Sequence, residues 1–141
     1  APYVDLYRRA AAQFGTVAHP VGMHSPGFIA DTDEEAVELV WPRYRVIRDR
    51  IGATRGWPPI KREEYDADIA HGSLYIGSPE TVARKIARAV QALDVGRFDL
   101  IYSTGSLPAS ARLRAVELYG TAVIPRVRQL LSETTLKESV L

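Results

Sequence analysis

The stretch YIGSPETVARKIARAV, Tyr75 to Val90, decides how this chain is read. A short apolar run ends at Gly77-Ser78, and a helix with a basic side comes next. Three chemistries compete for such a turn. A phosphate cradle would use the free N–H groups of a helix N-terminus. Here Pro79 has no N–H to give, and Glu80 brings a negative charge to the phosphate position. Neither a GxGxxG pattern nor a Lys after the turn is present. A helix-turn-helix unit needs a turn of roughly three or four residues and then a recognition helix. After Leu93 comes DVGRFDLIYS, which is strand-like. The third reading fits every residue. Ser78 is a good N-cap, Pro79 is pre-set for the first helical turn, and Glu80 complements the helix dipole. Val82, Ile86 and Val90 line one face, flanked by Ala83 and Ala87. Arg84, Lys85, Arg88 and Gln91 are expected to face water. The turn is a helix start in a packed α/β scaffold and carries no chemistry of its own.

Outward from this helix the pattern alternates. RFDLIYSTG, Arg97 to Gly105, reads as a strand; its nearly continuous apolar run predicts cover on both faces. From Pro108 to Leu131 there is a final helix, with Pro125 expected to bend it. The tail from residue 132 to 141 has weak periodicity and is expected to fray. Upstream, Tyr3 to Phe14 read as a helix stopped by Gly15. HPVGMHSPGFIA, His19 to Ala30, reads as extended, with Pro26-Gly27 breaking it or making a bulge. Thr32 and Glu35 form a capping box for a long helix, in which Pro42 predicts a kink or a break. Ala53 to Ser73 is irregular, with room for a short helix in KREEYDADIA, and Leu74 to Ile76 suit a short strand or an approach to the next helix. Strands alternating with helices predict parallel pairing through crossovers.

Composition narrows the class. The chain has 141 residues, 46% hydrophobic and 25% charged, as in a globular domain with its own core. A net charge of +1 gives no field that would favour nucleic acid, a membrane or an acidic partner. With no cysteine there is neither a disulfide nor a thiolate metal site, which fits a reducing, cytoplasmic setting. No apolar run approaches the ~20 residues that span a bilayer. The first residues form an amphipathic helix pattern rather than a signal peptide and lack an initiator Met. The expectation is a piece of a longer protein. His19, His24 and His71 have no ligand spacing, so no metal site is expected.

The order of these motifs resembles a known family. GSPETVARKIARAVQALDVGRFDLIYSTGSLPASARLRAVELYGTAVIPRVRQLL is similar to the C-terminal end of the bacterial luciferase-like, flavin-dependent monooxygenases. There a G-[ST]-P-E-x-V helix precedes the last barrel strand, a turn with Gly and Pro comes after it, and a helix ends in V-x-P-x-[VLI]-R. The matching positions are Gly77 to Val82, Phe98 to Tyr102, Gly105 to Pro108, and Val123 to Arg128. HSPGFIADTDEEAVELVWP resembles the penultimate strand and helix, so the resemblance runs from about Leu6 to Leu131. It implies an α/β fold: a partial TIM (β/α)8 barrel made of C-terminal strands and helices, over residues 1–131. Complete barrels need about 250 residues or more. An uncovered, apolar inner surface and two free sheet edges would result, and with them self-association into a homo-oligomer.

What the resemblance implies about chemistry sits at the strand ends. His24 is the implied catalytic residue, donating a hydrogen bond to the flavin; the alternative is a strand-end histidine bonded to backbone. Ser25, Tyr102, Ser103, Thr104 and Gly105 are the implied cofactor-binding residues; the alternative for the turn is a plain cap for the final helix. The cofactor would be FMN in reduced form, or a deazaflavin, and the partner a small-molecule substrate. The protein would position the cofactor and keep water from it. The family's flavin-phosphate contacts lie largely outside this stretch, so the 141 residues alone are expected to be inactive. A non-enzymatic α/β module that assembles with itself is the rival reading. Trp41 lies on the helical apolar period and reads as core, whereas Trp57, before Pro58-Pro59, suits a lid or an interface. The arginines at 43, 45, 48, 50 and 55 read as a solvated face, some of them paired with Glu38 or Asp49.

Overall fold

The computed structural model describes residues 2–103 and 105–138, with side chains as far as residue 133. In chain order the elements are α1 (Pro2–Gln13), β1 (Val21–Ile29), α2 (Asp33–Arg55), α3 (Arg62–Ala70), β2 (Tyr75–Gly77), α4 (Pro79–Leu93), β3 (Val95–Ile101), α5 (Ala109–Leu118), a π-helical turn (Tyr119–Val123) and α6 (Ile124–Glu138). The strands form one parallel sheet in the order β2-β1-β3. β1 pairs with β3 from Val21↔Val95, across a bulge, to Pro26↔Ile101; β2 takes the other edge at Gly27↔Tyr75 through Ile29↔Gly77. The segments around Met23 and Leu100 are therefore parallel neighbours, as the crossover pattern predicts.

The two faces of this sheet differ. Side chains alternate along a strand, so Met23, Ser25, Ile29, Phe98 and Leu100 share one face. On it Ile29, Tyr75, Val82, Ile86, Leu118 and Val123 form a buried cluster, joined by Phe98 and Leu100. This is the helix-covered face, under α4, the π turn and α6. Gly22, His24, Pro26, Phe28, Arg97, Asp99 and Ile101 fall on the opposite face. At its C-terminal end Phe28 and Ile76 pack against Ala36 and Val40 of α2, Tyr65 of α3, and Leu107. Along its N-terminal half it is open: Gly22, His24, Arg97 and Asp99 are all exposed. The expectation that β3 would be covered on both faces is corrected here. So is the expectation of an apolar inner surface, because the open stretch carries His24, Arg97 and Asp99.

The GSPE turn works as read, with one addition. Ser78 caps α4 by accepting from the Thr81 N–H, and Asp94, at φ +48, closes it with its N–H on the Val90 carbonyl. The added partner is Asp33, in the first turn of α2. Its Oδ1 accepts from the Ser78 N–H at 2.6 Å and its Oδ2 from the Thr81 hydroxyl at 3.0 Å. An internal carboxylate thus fills the place a phosphate would take, and it ties two helix starts together. Gly77 is required for this approach: its φ is +153, and a Cβ there would lie 2.6 Å from Asp33 Oδ1. Burial alone would raise the Asp33 pKa, but the hydrogen bonds from Ser78 and Thr81 outweigh it and hold the carboxyl below its usual range.

Both internal prolines are absorbed without breaking a helix. α2 runs unbroken through Pro42. Two carbonyls near the missing bond receive side-chain donors, Val37 from the Tyr65 hydroxyl at 3.2 Å and Leu39 from Arg43 Nη1 at 2.6 Å. Pro125 stands just after the π turn, where the Ile124 N–H reaches back to the Tyr119 carbonyl, five residues away. Widening the turn removes the clash between the proline ring and the carbonyl four residues earlier. β1 likewise passes through Pro26-Gly27; its irregularity is at Val21/Gly22 instead. α6 continues past Leu131 through Glu138; residues 139–141 lie outside the described residues.

Lys85, expected in water, is half-buried. Its ammonium donates to the carbonyls of Asp68 (3.2 Å), Ile69 (2.6 Å) and Leu74 (2.8 Å), and stands 4.9 Å from the Tyr75 ring centre. It closes the C-terminal end of α3 against α4, where the helix dipole favours a cation. Glu38 pairs with Arg62 of α3, and Asp49 accepts from the Ile60 N–H, rather than pairing with arginines on α2. Trp41 joins the core as expected, 5.0 Å from the Tyr65 ring.

Asp33→Ala should lower stability by about 1–2 kcal/mol, the range for losing a charged helix-cap acceptor. A carboxyl held low contributes stability that is complete above its unfolded pKa and is lost as pH falls through the folded value. Chemical denaturation across pH should therefore show the wild type losing stability below about pH 4, and Asp33→Asn losing less over that interval. Equal slopes for the two proteins would contradict the bridge.

Candidate functional site

In a (β/α)8 barrel, function gathers at the C-terminal ends of the strands. Here the most accessible such end is the turn between β3 and α5. Tyr102 and Ser103 are exposed on it. Three contacts fix the rest. Gly105 has φ +78 and lies against α2, so that a Cβ would stand 3.2 Å from Arg43 Cβ and 3.3 Å from Ile47 Cδ1. Arg43 Nε donates to the Ser106 carbonyl at 3.2 Å. Leu107 is buried in the cluster under α2. Thr104 lies outside the described residues.

The two residues expected from β1 are placed differently. With no break at Pro26-Gly27, His24 and Ser25 sit in mid-strand rather than at a strand end. They point to opposite faces. Ser25 is 5% exposed, on the helix-covered face, paired in register with Leu100. His24 is exposed on the open face, paired in register with Asp99. The structure thus brings Tyr102, Ser103 and Gly105 together on one turn, sets His24 on the open face beside β3, and turns Ser25 away from both groups.

Sequence reasoning missed Arg97 and Asp99. They form an ion pair at 2.9 Å on the open face, and Asp99 stands across from His24. Their signal was the alternation Arg97-Phe98-Asp99-Leu100, a period of two hidden inside what looked like a continuous apolar run. Asp31, just past β1, is bound by Arg114 of α5 at 2.6 Å, and that hydrogen bond is the main reason its pKa is lowered. Burial raises the Tyr119 hydroxyl, with the negative Asp99 adding to it. Among the described residues no group of three or more His, Cys, Asp or Glu could hold a metal ion. An exposed aromatic ring and a hydroxyl on one turn, Tyr102 and Ser103, suit the face and edge of a planar heterocycle such as a flavin; buried Ser25 does not reach that turn.

No family model and no curated protein matches the sequence. Solved structures do match the fold. Monooxygenase RslO1 from Streptomyces bottropensis aligns at TM-score 0.68 and 18% identity, over 86% of this chain and 36% of its own. The oxygenating constituent of 3,6-diketocamphane monooxygenase from the CAM plasmid of Pseudomonas putida, a type II Baeyer–Villiger monooxygenase in complex with FMN, aligns at TM-score 0.61 and 23% identity, over 88% and 38%. Apo-MsnO8 aligns at 0.58 and 18% identity, over 84% and 39%. The chain spans well under half the length of each. At these identities the likeness is one of fold: the chain shares the α/β fold of part of each of these monooxygenases.

Gly105→Ala should cost about 1–2 kcal/mol, since an alanine resists a positive φ and would press on Arg43 and Ile47. The check is the thermal midpoint, with Gly15→Ala as the comparison: Gly15 also has a positive φ (+64) but meets nothing within 4 Å. A loss no larger at Gly105 than at Gly15 would show that the turn is not braced against α2.

Proposed function

We propose that this chain forms part of a flavin-dependent monooxygenase or related oxidoreductase. One observation carries the reading: β1 and β3 are adjacent parallel strands in an arrangement shared with three monooxygenases, one of them bound to FMN. The motif order in the sequence points the same way. When bound, the flavin supplies the electron transfer and oxygen chemistry. Tyr102, Ser103 and Gly105 would hold it at the β3–α5 turn, the tyrosine by ring contact and the serine by a hydrogen bond. Thr104, between them, belongs to the same proposal. His24 would donate a proton from the open face, where Asp99 stands opposite it in register. Ser25 would act through the sheet rather than by contact.

Adding FMN to the 141-residue chain should leave the flavin absorbance unchanged, because this part alone supplies few contacts. Tight one-to-one binding would overturn that expectation. The reading frame should continue upstream by about 200 residues with more alternating strands and helices, as a whole barrel requires. The extended protein should bind FMN, and His24→Ala should lower its turnover by roughly 10²-fold, the scale of a lost proton donor, with binding retained. A reading frame without such an extension, or an extended protein that ignores FMN, sinks the enzyme reading.

The assembling module is the second reading, favoured by exposed apolar side chains on α1 and just after its end. Tyr3, Leu6, Tyr7 and Phe14 recur at helical spacing and are 84%, 55%, 40% and 75% exposed. β3 also has one unpaired edge. Light scattering should find the chain associated, and Leu6→Glu with Phe14→Glu should release monomers. A monomeric wild type removes this reading.

A further inference from the structure

An open cleft of about 560 Å³ lies between α2 and the β3–α5 turn. Its wall on α2 repeats every turn: Arg43, then Val46 and Ile47, then Arg50; Gly105 and Ser106 close the other side. Arg43 and Arg50 are seven residues apart, so they lie on one helical face two turns apart, with the apolar pair between them.

Neither cation is neutralised by its own helix. The positions three and four residues away, where an acidic partner would sit, hold Leu39, Val40, Val46 and Ile47 around Arg43, and Val46, Ile47, Ala53 and Thr54 around Arg50. The nearest acids on α2 are engaged elsewhere, Glu38 with Arg62 and Asp49 with the Ile60 N–H. Arg43 spends its donors on two carbonyls, Ser106 and Leu39, which leaves its charge in place. Arg50 has no hydrogen bond or ion pair among the described residues. The cleft therefore joins two uncompensated guanidinium groups to an apolar floor.

We infer that this cleft binds an organic oxyanion, a phosphate monoester or a carboxylate carried on an apolar body. Arg50 takes the anionic group, since its donors are free and a guanidinium matches both oxyanions by paired N–H···O bonds. Val46 and Ile47 receive the apolar body. Arg43 holds the turn in place and adds to the positive field. Oxyanion binding here rests on the cleft alone and does not depend on the flavin reading.

Calorimetric titration of the 141-residue chain with phenyl phosphate, benzoate, inorganic phosphate and benzyl alcohol tests it. Phenyl phosphate or benzoate should bind, and which of them binds tighter identifies the oxyanion. Inorganic phosphate should bind about tenfold more weakly for want of the apolar body, and benzyl alcohol not measurably. Arg50→Gln should weaken the bound anion by about tenfold without moving the thermal midpoint, and Arg50→Lys should restore part of it. Arg43→Gln should weaken binding and also lower the midpoint, since it releases the turn. Binding that ignores Arg50→Gln, equal binding of benzyl alcohol, or no binding of either organic anion up to roughly 10 mM overturns the inference.

Discussion

Backbone pairing between β1 and β3, from Val21 with Val95 to Pro26 with Ile101, sets the conditions for everything else. Parallel strands cannot be joined by a tight turn; they need a crossover. The crossover here is long, and it must bury what it carries. α4 does so by laying Val82, Ala83 and Ile86 on the face that Phe98 and Leu100 present. α2 cannot use the same ground, because α4 and α6 occupy it. It packs instead over the C-terminal end of the other face, through Ala36 and Val40. Asp33 is the joint that reconciles the two placements, since its carboxylate, carried on the first turn of α2, accepts from the start of α4. The division into a covered face and a half-open face results from this arrangement, and the open half is where His24 finds itself.

Much of the fold was legible in the sequence because the signals were local. Ser78-Pro79-Glu80 set one helix start, and Thr32 with Glu35 set another, with the Thr32 hydroxyl accepting from the Glu35 N–H at 3.1 Å. Gly15 stops α1 with positive φ, as read, whereas α2 runs past Ala53, where the irregular stretch was expected to begin, and ends at Gly56. What failed was wherever a distant group changed the local answer. Pro42 predicts a kink or a break; α2 does not break there, and the distant Tyr65 hydroxyl donates to the Val37 carbonyl near the site of the lost bond. Lys85 reads as solvent-facing, but three carbonyls at the end of α3 lie within reach. Neither compensation has a signature in nearby residues.

The candidate site was legible in a narrower sense. The turn after β3 could be located because a strand pattern ends there and Gly and Pro come next. Its bracing by Arg43 could not, since that contact links residues 63 apart in sequence. His24 and Ser25 were placed at a strand end because Pro26 suggested one. A proline is tolerated in a strand where its missing donor is not needed, and β2 takes up the pairing only from Gly27 onward. The strand continues, and alternation then sends the two residues to opposite faces.

The open face bears on function through its cost. Arg97 and Asp99 are 76% and 51% exposed, and an ion pair so placed is cheap to keep but contributes little. Enclosed inside a barrel, the same pair would lose its water, and each charge would then need further hydrogen bonds to offset the loss. His24, opposite Asp99, is the neighbour able to provide one. A scaffold built only for stability would place branched apolar side chains at these positions, as the interior layers of such barrels do. Packing alone therefore does not explain three polar residues at adjacent positions on this face. The same cost arises in any closed form of this sheet, whichever chain completes it.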